Sequence, residues 1–234
     1  KNSIINPIKK FNDSIISRPN IVLIVMESFG REYIGSFNKD KAIDNYISYT
    51  PFLDSLSQHS KIFPNSFANG RQSIEALPSI LASLPSFRIP FTSSPYANQE
   101  IQSLVSVFNS LDYSTSFFHG APNGSMGFLG LSNILGFDNY FGKNEFNNNS
   151  LYDGYWGIWD EPFLQFMKTK IDKFEEPFFT TFFSLTSHEP FKVPLEYKDV
   201  FPVGNVQMHE VIGYSDNALR EFFNSSKNQP WFKN

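Results

Sequence analysis

The residues Ile21-Val22-Leu23-Ile24-Val25-Met26 form an unbroken apolar run, rich in β-branched side chains, that stops on Glu27. A short run with no polar alternation predicts a strand buried on both faces, the kind found in parallel sheets. Glu27 then stands where the strand gives way to loop. From position alone it either faces water or, held near buried surface, needs a cation, a metal or a hydrogen-bond donor, because an unpaired charge at low dielectric is costly. Both readings stay open at this stage.

The rest of the chain alternates in the same way. Residues 1–19 are polar and end in Arg18-Pro19, which with Asn20 makes a breaker and marks a lead-in segment before one large domain over 20–234. Thr50-Pro51 supplies an N-cap and an N1 proline for a helix that presents Phe52, Leu53 and Leu56 on one side. Further along we expect a strand at Lys61–Phe67, a helix after Ser73, a helix near Ile101–Leu111 and a strand at Ser114–His119. The Gly- and Asn-rich stretch Gly120–Asn149 predicts a long functional loop with a short helix inside. Asp160 is expected to cap a helix running to about Ile171, and Phe178–Leu185 reads as another buried strand. Met208, Val211, Ile212, Ser215, Leu219 and Phe222 fall at helical spacing, with His209 placed at the surface. Strands alternating with helices of this length imply an α/β fold, a mostly parallel central sheet covered on both faces. Sites in such sheets lie beyond the carboxyl ends of the strands, which brings Glu27, His119 and Thr186-Ser187-His188 to one rim.

Composition narrows the function classes. The formal charge of −4, with no basic cluster beyond Lys9-Lys10, argues against nucleic acid as a partner. Cysteine is absent, which excludes thiolate metal sites, redox motifs and a cysteine nucleophile. The 27 phenylalanines can fill a core without disulfides. No apolar run approaches the roughly 20 residues that span a bilayer, and the chain begins with Lys1, so any targeting or membrane segment is expected upstream.

Asn69-Gly70-Arg71-Gln72-Ser73 precedes an apolar-rich helix. Ser73 there is either an N-cap or a nucleophile at a helix N-terminus, where backbone N–H groups and the dipole favour a phosphoryl group. Arg71 is either a solvated loop residue or an anion contact. Taken together, Val25-Met26-Glu27-Ser28-Phe29-Gly30 and, some forty residues on, Gly70-Arg71-Gln72-Ser73-Ile74-Glu75-Ala76-Leu77-Pro78-Ser79 resemble the sulfatase-like, alkaline-phosphatase superfamily. The likeness is strongest to its lipoteichoic-acid-synthase-like phosphoglycerol transferase branch. It continues through Phe118-His119-Gly120, Trp156-Gly157-Ile158-Trp159-Asp160-Glu161, Thr186-Ser187-His188-Glu189-Pro190-Phe191 and Tyr214-Ser215-Asp216-Asn217-Ala218-Leu219.

The resemblance implies a three-layer alkaline-phosphatase-like sandwich in which Glu27 and Ser73 hold a divalent metal, Mn2+ or Mg2+. Ser73 would attack a phosphodiester and form a covalent intermediate, and His119, His188 and Arg71 would contact the substrate. Trp156 and Asp160 are read as structural. The implied substrate is an envelope lipid or glycan phosphodiester at the extracytoplasmic face of the membrane, with anchoring through a segment upstream of this chain.

The chain departs from the family in three places. The Asp-His pair that completes the family's metal site has no counterpart in these residues, so the catalytic domain is expected to be incomplete at its C-terminus. Ser73 lacks the Cys/Ser-x-Pro-x-Arg context of sulfatases proper. The tryptophan and arginine that follow the loop histidine in Gram-positive synthases have no match in Ala121–Leu131. Two other functions therefore stand beside the phosphotransferase: a sulfatase-like hydrolase of phosphodiesters or sulfate esters, and a non-catalytic binding module or inactive fragment that keeps the fold.

Overall fold

The computed structural model describes residues 18–38, 47–86 and 89–234; most of the lead-in expected over residues 1–19 lies outside these. In chain order the elements are β1 (Ile21–Val25), α1 (Pro51–Ser57), α2 (Ser73–Ala82), α3 (Leu104–Asn109), β2 (Ser114–Phe118), α4 (Phe128–Leu135), β3 (Asn139–Phe141), α5 (Lys143–Phe146), α6 (Asp160–Ile171), β4 (Phe178–Phe183) and α7 (Met208–Ser226), joined by short 3-10 turns. The strands form one sheet in the order β1-β4-β2-β3, every pairing parallel.

The period-two alternation of β-strands sorts the sheet's side chains into two cores. Phe117, Phe179 and Phe183 point to a face covered by α2, α3 and α4, where Leu77, Leu81, Val105, Phe128 and Leu131 meet them. Phe118, Phe178 and Phe182 point to the opposite face, covered by α6 and α7 through Phe163, Leu164, Met167, Leu219 and Phe222. The result is the expected three-layer α/β arrangement. The central strand β4 is buried along its whole length. Its Thr180 hydroxyl pairs with that of Ser116 on β2 at 2.8 Å, whereas the Thr181 hydroxyl on the other face has no partner among the described residues. β1 is half-buried throughout and forms one edge of the described sheet.

Several elements differ from the sequence expectation. Residues 61–67 form no strand. The segment is exposed, with Phe63 at 66% and Phe67 at 91%, and the carbonyl of Pro64 accepts from Arg31 Nη1 at 2.9 Å. Pro64 has no N–H to give a ladder, which removes the run from sheet pairing. The stretch 120–149 is more ordered than a long loop, holding α4, the short strand β3 and α5. Thr50 does not cap α1 with its side chain; its hydroxyl accepts from Gly35 N at 3.1 Å instead. The free N–H groups of Phe52 and Leu53 are taken by the carboxylate of Asp216, far away on α7, at 2.8 and 2.9 Å. His209, expected at the surface, is half-buried and packs its ring on Tyr49, centroids 4.1 Å apart and nearly parallel. Among the described residues no helix is long and apolar enough to cross a membrane.

Candidate active site

Because all strands are parallel, their carboxyl ends share one rim. β1 delivers Glu27 there, β2 delivers His119, and β4 between them delivers Ser184 to His188. Glu27 is pinned by its backbone. Its N–H donates to Ser184 Oγ at 2.7 Å, and its carbonyl accepts from the Ser187 hydroxyl. The chain then turns through Ser28, whose φ of 58° lies in the left-handed region, and the Ser28 hydroxyl donates to Glu27 Oε1 at 2.9 Å.

Ser73 reaches the same rim from a separate element. It is the first residue of α2, Gln72 being the N-cap, so the cap reading of Ser73 does not hold. Glu75 closes the turn before it, since its Oε2 accepts from Arg71 N at 2.8 Å and Gln72 N at 3.1 Å. The Ser86 hydroxyl first, and then these two N–H groups, hold the Glu75 carboxyl below its usual pKa. With its backbone so placed, Ser73 directs Oγ away from its own helix and donates to Glu27 Oε2 at 2.6 Å. The helix N-terminus adds positive potential at the same point.

Glu27, Ser73, Arg71 and His188 line one open cleft of about 600 Å³, together with Met126 and Phe191. Arg71 is exposed, and among the described residues its guanidinium has no partner. His188 is half-buried and lies against Trp156, ring centroids 4.2 Å apart, with Nδ1 3.1 Å from the Glu189 carbonyl. Trp156 is tied to the same carbonyl through Nε1 at 2.6 Å. Its position follows from a tight turn in which Asp153 Oδ1 accepts from the N–H groups of Tyr155, Trp156 and Gly157 at 2.8, 2.8 and 3.0 Å. A Cβ at Gly157 would stand 2.4 Å from the Gly120 carbonyl oxygen, so only glycine lets this turn lie on the end of β2. Trp156 is thus both structural and beside the cleft, a position its sequence neighbourhood did not reveal.

His119 is not in the cleft. It is 1% exposed, wedged between Phe128 and Phe183, with Nδ1 donating to the Phe183 carbonyl at 2.9 Å. Burial pushes its pKa down to about 4, which leaves the ring neutral. Asp160 does not cap α6. It is the first helical residue, and its carboxylate accepts from Leu185 N at 2.9 Å and Thr186 N at 3.1 Å while its own N–H donates to Thr186 Oγ1. It therefore holds the segment that carries His188. Burial raises its pKa to about 7, outweighing the N–H donors that act the other way. Ser28 and Ser187 lie within the quoted motifs without a role of their own there, and Ser184 carried no sequence signal beyond being a hydroxyl next to a strand end.

The donor set bears on a metal. Glu27 and Ser73 present oxygens to one point, the donor type that magnesium and manganese take. Among the described residues, however, no three His, Cys, Asp or Glu side chains gather at any site. These residues suit a hard cation in kind but fall short of the roughly six oxygens it usually takes.

A parallel sheet between two helical layers, with a carboxylate and a helix-initial serine hydrogen-bonded at its carboxyl rim, defines a hydrolase or transferase domain of the alkaline-phosphatase type. More particularly, the chain belongs to the sulfatase family, whose model matches residues 19–229. It is 21% identical to the lipoteichoic acid synthase-like protein YvgJ of Bacillus subtilis over 98% of this chain and 39% of that protein. It is 24% identical to lipoteichoic acid synthase 2 of Bacillus subtilis over 89% of this chain and 32% of that one. The chain thus spans about a third to two fifths of the length of these curated relatives. Its fold is that of an alkaline phosphatase superfamily protein from Vibrio parahaemolyticus, with a TM-score of 0.80 and 22% identity over 92% of this chain and 52% of that one.

Proposed function

We propose that this chain is the serine-bearing part of a phosphotransferase that acts on phosphodiesters of the cell envelope. The observation that carries the reading is the 2.6 Å hydrogen bond from Ser73 Oγ to Glu27 Oε2 at the mouth of an open cleft, on the first residue of a helix. Kinship with two lipoteichoic acid synthase relatives supports an envelope substrate, a phosphodiester of a lipid or glycan, and an extracytoplasmic location.

In this reading Ser73 Oγ attacks phosphorus. An Oγ–P bond forms, the P–O bond to the donor's alcohol breaks, and that alcohol leaves with the proton that Ser73 gives up. An acceptor hydroxyl then attacks the same phosphorus, an acceptor O–P bond forms as the Oγ–P bond breaks, and the acceptor's proton returns to Ser73 Oγ. Glu27 orients the hydroxyl, and its carboxylate accepts the hydrogen bond from the serine proton as the O–H bond loosens. Arg71 binds a non-bridging oxygen, and His188, which lines the same cleft, contacts the substrate. The oxygens of Glu27 and Ser73 would hold in part a divalent cation, Mn2+ or Mg2+, whose positive charge would make the serine hydroxyl easier to deprotonate.

The test is turnover of a chromogenic phosphodiester by the intact polypeptide with manganese, beside Ser73→Ala and Glu27→Ala. Loss of turnover in both variants is expected. Equal turnover in all three removes Ser73 and Glu27 from the chemistry, and no turnover in any favours a binding module. Product analysis with and without a hydroxyl acceptor separates transfer from hydrolysis.

A further inference from the structure

The layer of α6 and α7 carries a second recess, on the opposite face of the sheet from the helix that bears Ser73. Two hollows of about 710 and 520 Å³ lie side by side there, and Glu161 and Tyr197 line both. Neither hollow shares a residue with the catalytic cleft.

The walls of the recess are aromatic. Tyr197 stacks on Phe201 with ring centroids 5.6 Å apart, and both meet the buried ring of Tyr214 edge-on, at 5.3 and 6.2 Å. Trp159 meets Tyr214 from the other hollow, at 6.2 Å. Rings locked against one another in this way have little rotamer freedom left to lose when a ligand binds.

Its charge is negative. Among the described residues four carboxylates line the two hollows, those of Glu161, Glu196, Asp216 and Glu221, against one cation, Arg220. Arg220 is already engaged, through Nε with Glu221 Oε1 at 3.2 Å and through Nη2 with Asn217 Oδ1. Asp216 is occupied by the N–H groups of Phe52 and Leu53. Glu161 differs: its Oε2 is buried and has no partner among the described residues. Burial first, and then the Glu161 carboxylate, push the Tyr197 hydroxyl up to about 12, and Glu196 and Glu221 add to the effect, so this ring stands in a negative field. A buried carboxylate oxygen without a donor is costly, and a cation supplies what it lacks.

A bare metal ion is the wrong cation. It needs oxygens gathered on one point, and among the described residues no three His, Cys, Asp or Glu side chains gather in that way. Carboxylates spread around stacked rings suit instead a cation with a carbon body, whose charge is attracted by ring faces and carboxylates alike while its methyl or methylene groups cover the rings. We propose that the recess between α6 and α7 is a binding site for an organic ammonium ion, seated against Tyr197 and Phe201 with its charge on Glu161. The site stands apart from the phosphodiester chemistry of the cleft and does not depend on it.

The test is an NMR titration of the intact polypeptide with choline. Two controls run beside it: neohexyl alcohol, the uncharged isostere in which carbon replaces nitrogen, and potassium chloride, which brings charge without a carbon body. We expect choline to shift the signals of Glu161, Tyr197 and Phe201 with a saturable midpoint, the isostere to bind about tenfold more weakly or worse, and potassium to give no saturable response. Glu161→Gln and Tyr197→Leu should each raise the choline midpoint about tenfold, while Tyr197→Phe, which keeps the ring, should stay within about twofold. If Tyr197→Leu does not fold, Glu161→Gln and Tyr197→Phe carry the same comparison. Equal midpoints for choline and its isostere would make the recess a plain apolar pocket, and an equal response to potassium would make it a patch for counter-ions. Shifts confined to Ser73 and His188 would put choline in the catalytic cleft. Any of these results, no response to choline, or an unchanged midpoint in Glu161→Gln overturns the proposal.

Discussion

The carboxylate of Asp216, in the middle of α7, accepts from the backbone N–H of Phe52 at 2.8 Å and so closes the N-terminus of a helix 164 residues earlier in the chain. The adjoining Leu53 N–H is held in the same way. Replacing Asp216 by alanine leaves both donors unpaired beside the core, and we expect a loss of about 1–3 kcal/mol in urea unfolding. Restoring a serine cap at position 50 by Thr50→Ser should recover little, because residue 50 directs its hydroxyl to Gly35 instead.

Asp160 predicts a pH dependence. Burial lifts its folded pKa to about 7, above the roughly 3.9 of an unfolded aspartate, so the folded state binds this proton more tightly. The stabilisation is fully present below about pH 4 and is lost as pH rises towards 7. Asp216, raised by burial to about 6, acts in the same direction. Unfolding free energies of the wild type should therefore slope downward across this window, and Asp160→Asn should flatten the upper part of the slope. An identical slope in the variant would show that Asp160 does not titrate there.

Glu27 separates stability from activity. Its structural contacts run through its own N–H and carbonyl, to Ser184 and Ser187, and they survive a change of side chain. Glu27→Gln should unfold within about 0.5 kcal/mol of the wild type and yet lose turnover of a phosphodiester by about a hundredfold or more. A large stability loss would show that the carboxylate is a structural group.

Gly157→Ala places a methyl group 2.4 Å from the Gly120 carbonyl oxygen, and backbone must shift to relieve it. We expect a cost of about 1–3 kcal/mol, and a change in tryptophan fluorescence as Trp156 leaves the His188 ring.

Phe182 is fully buried on the face of β4 that meets α6 and α7. Phe182→Ala should destabilise by about 3–5 kcal/mol, mostly through the cavity it leaves. A loss below about 1 kcal/mol would mean that the core collapses around the gap.

Local patterns accounted for much of the architecture. β4 and α7 start where the apolar pattern places them, at Phe178 and Met208, because burial of one stripe or of a whole strand leaves a repeating mark on the chain, while α6 begins at Asp160 itself, the residue expected to cap it. The apolar residues Ile62, Phe63 and Phe67 misled in the same terms. They have strand-like composition, but Pro64 breaks the donor row and no neighbouring strand receives them. β3 was missed for the opposite reason. Asn139, Tyr140 and Phe141 are too few to show a periodic pattern and are held by pairing with Ser116, Phe117 and Phe118.

The candidate site divides along the same line. Composition, apolar spacing and the motifs around Glu27 and Ser73 determined by themselves a parallel α/β domain and the two residues to watch, since these depend on neighbours close in the chain. Only the tertiary structure decided that Ser73 bonds to Glu27 and does not cap its helix, and that His119 is buried between Phe128 and Phe183 with Nε2 unpartnered among the described residues. It also decided that Asp160 and Asp216 serve backbone far from their own helices. Side-chain hydrogen bonds and burial are set by which elements meet across the sheet, and residues separated by 46 or 164 positions carry no local trace of that meeting.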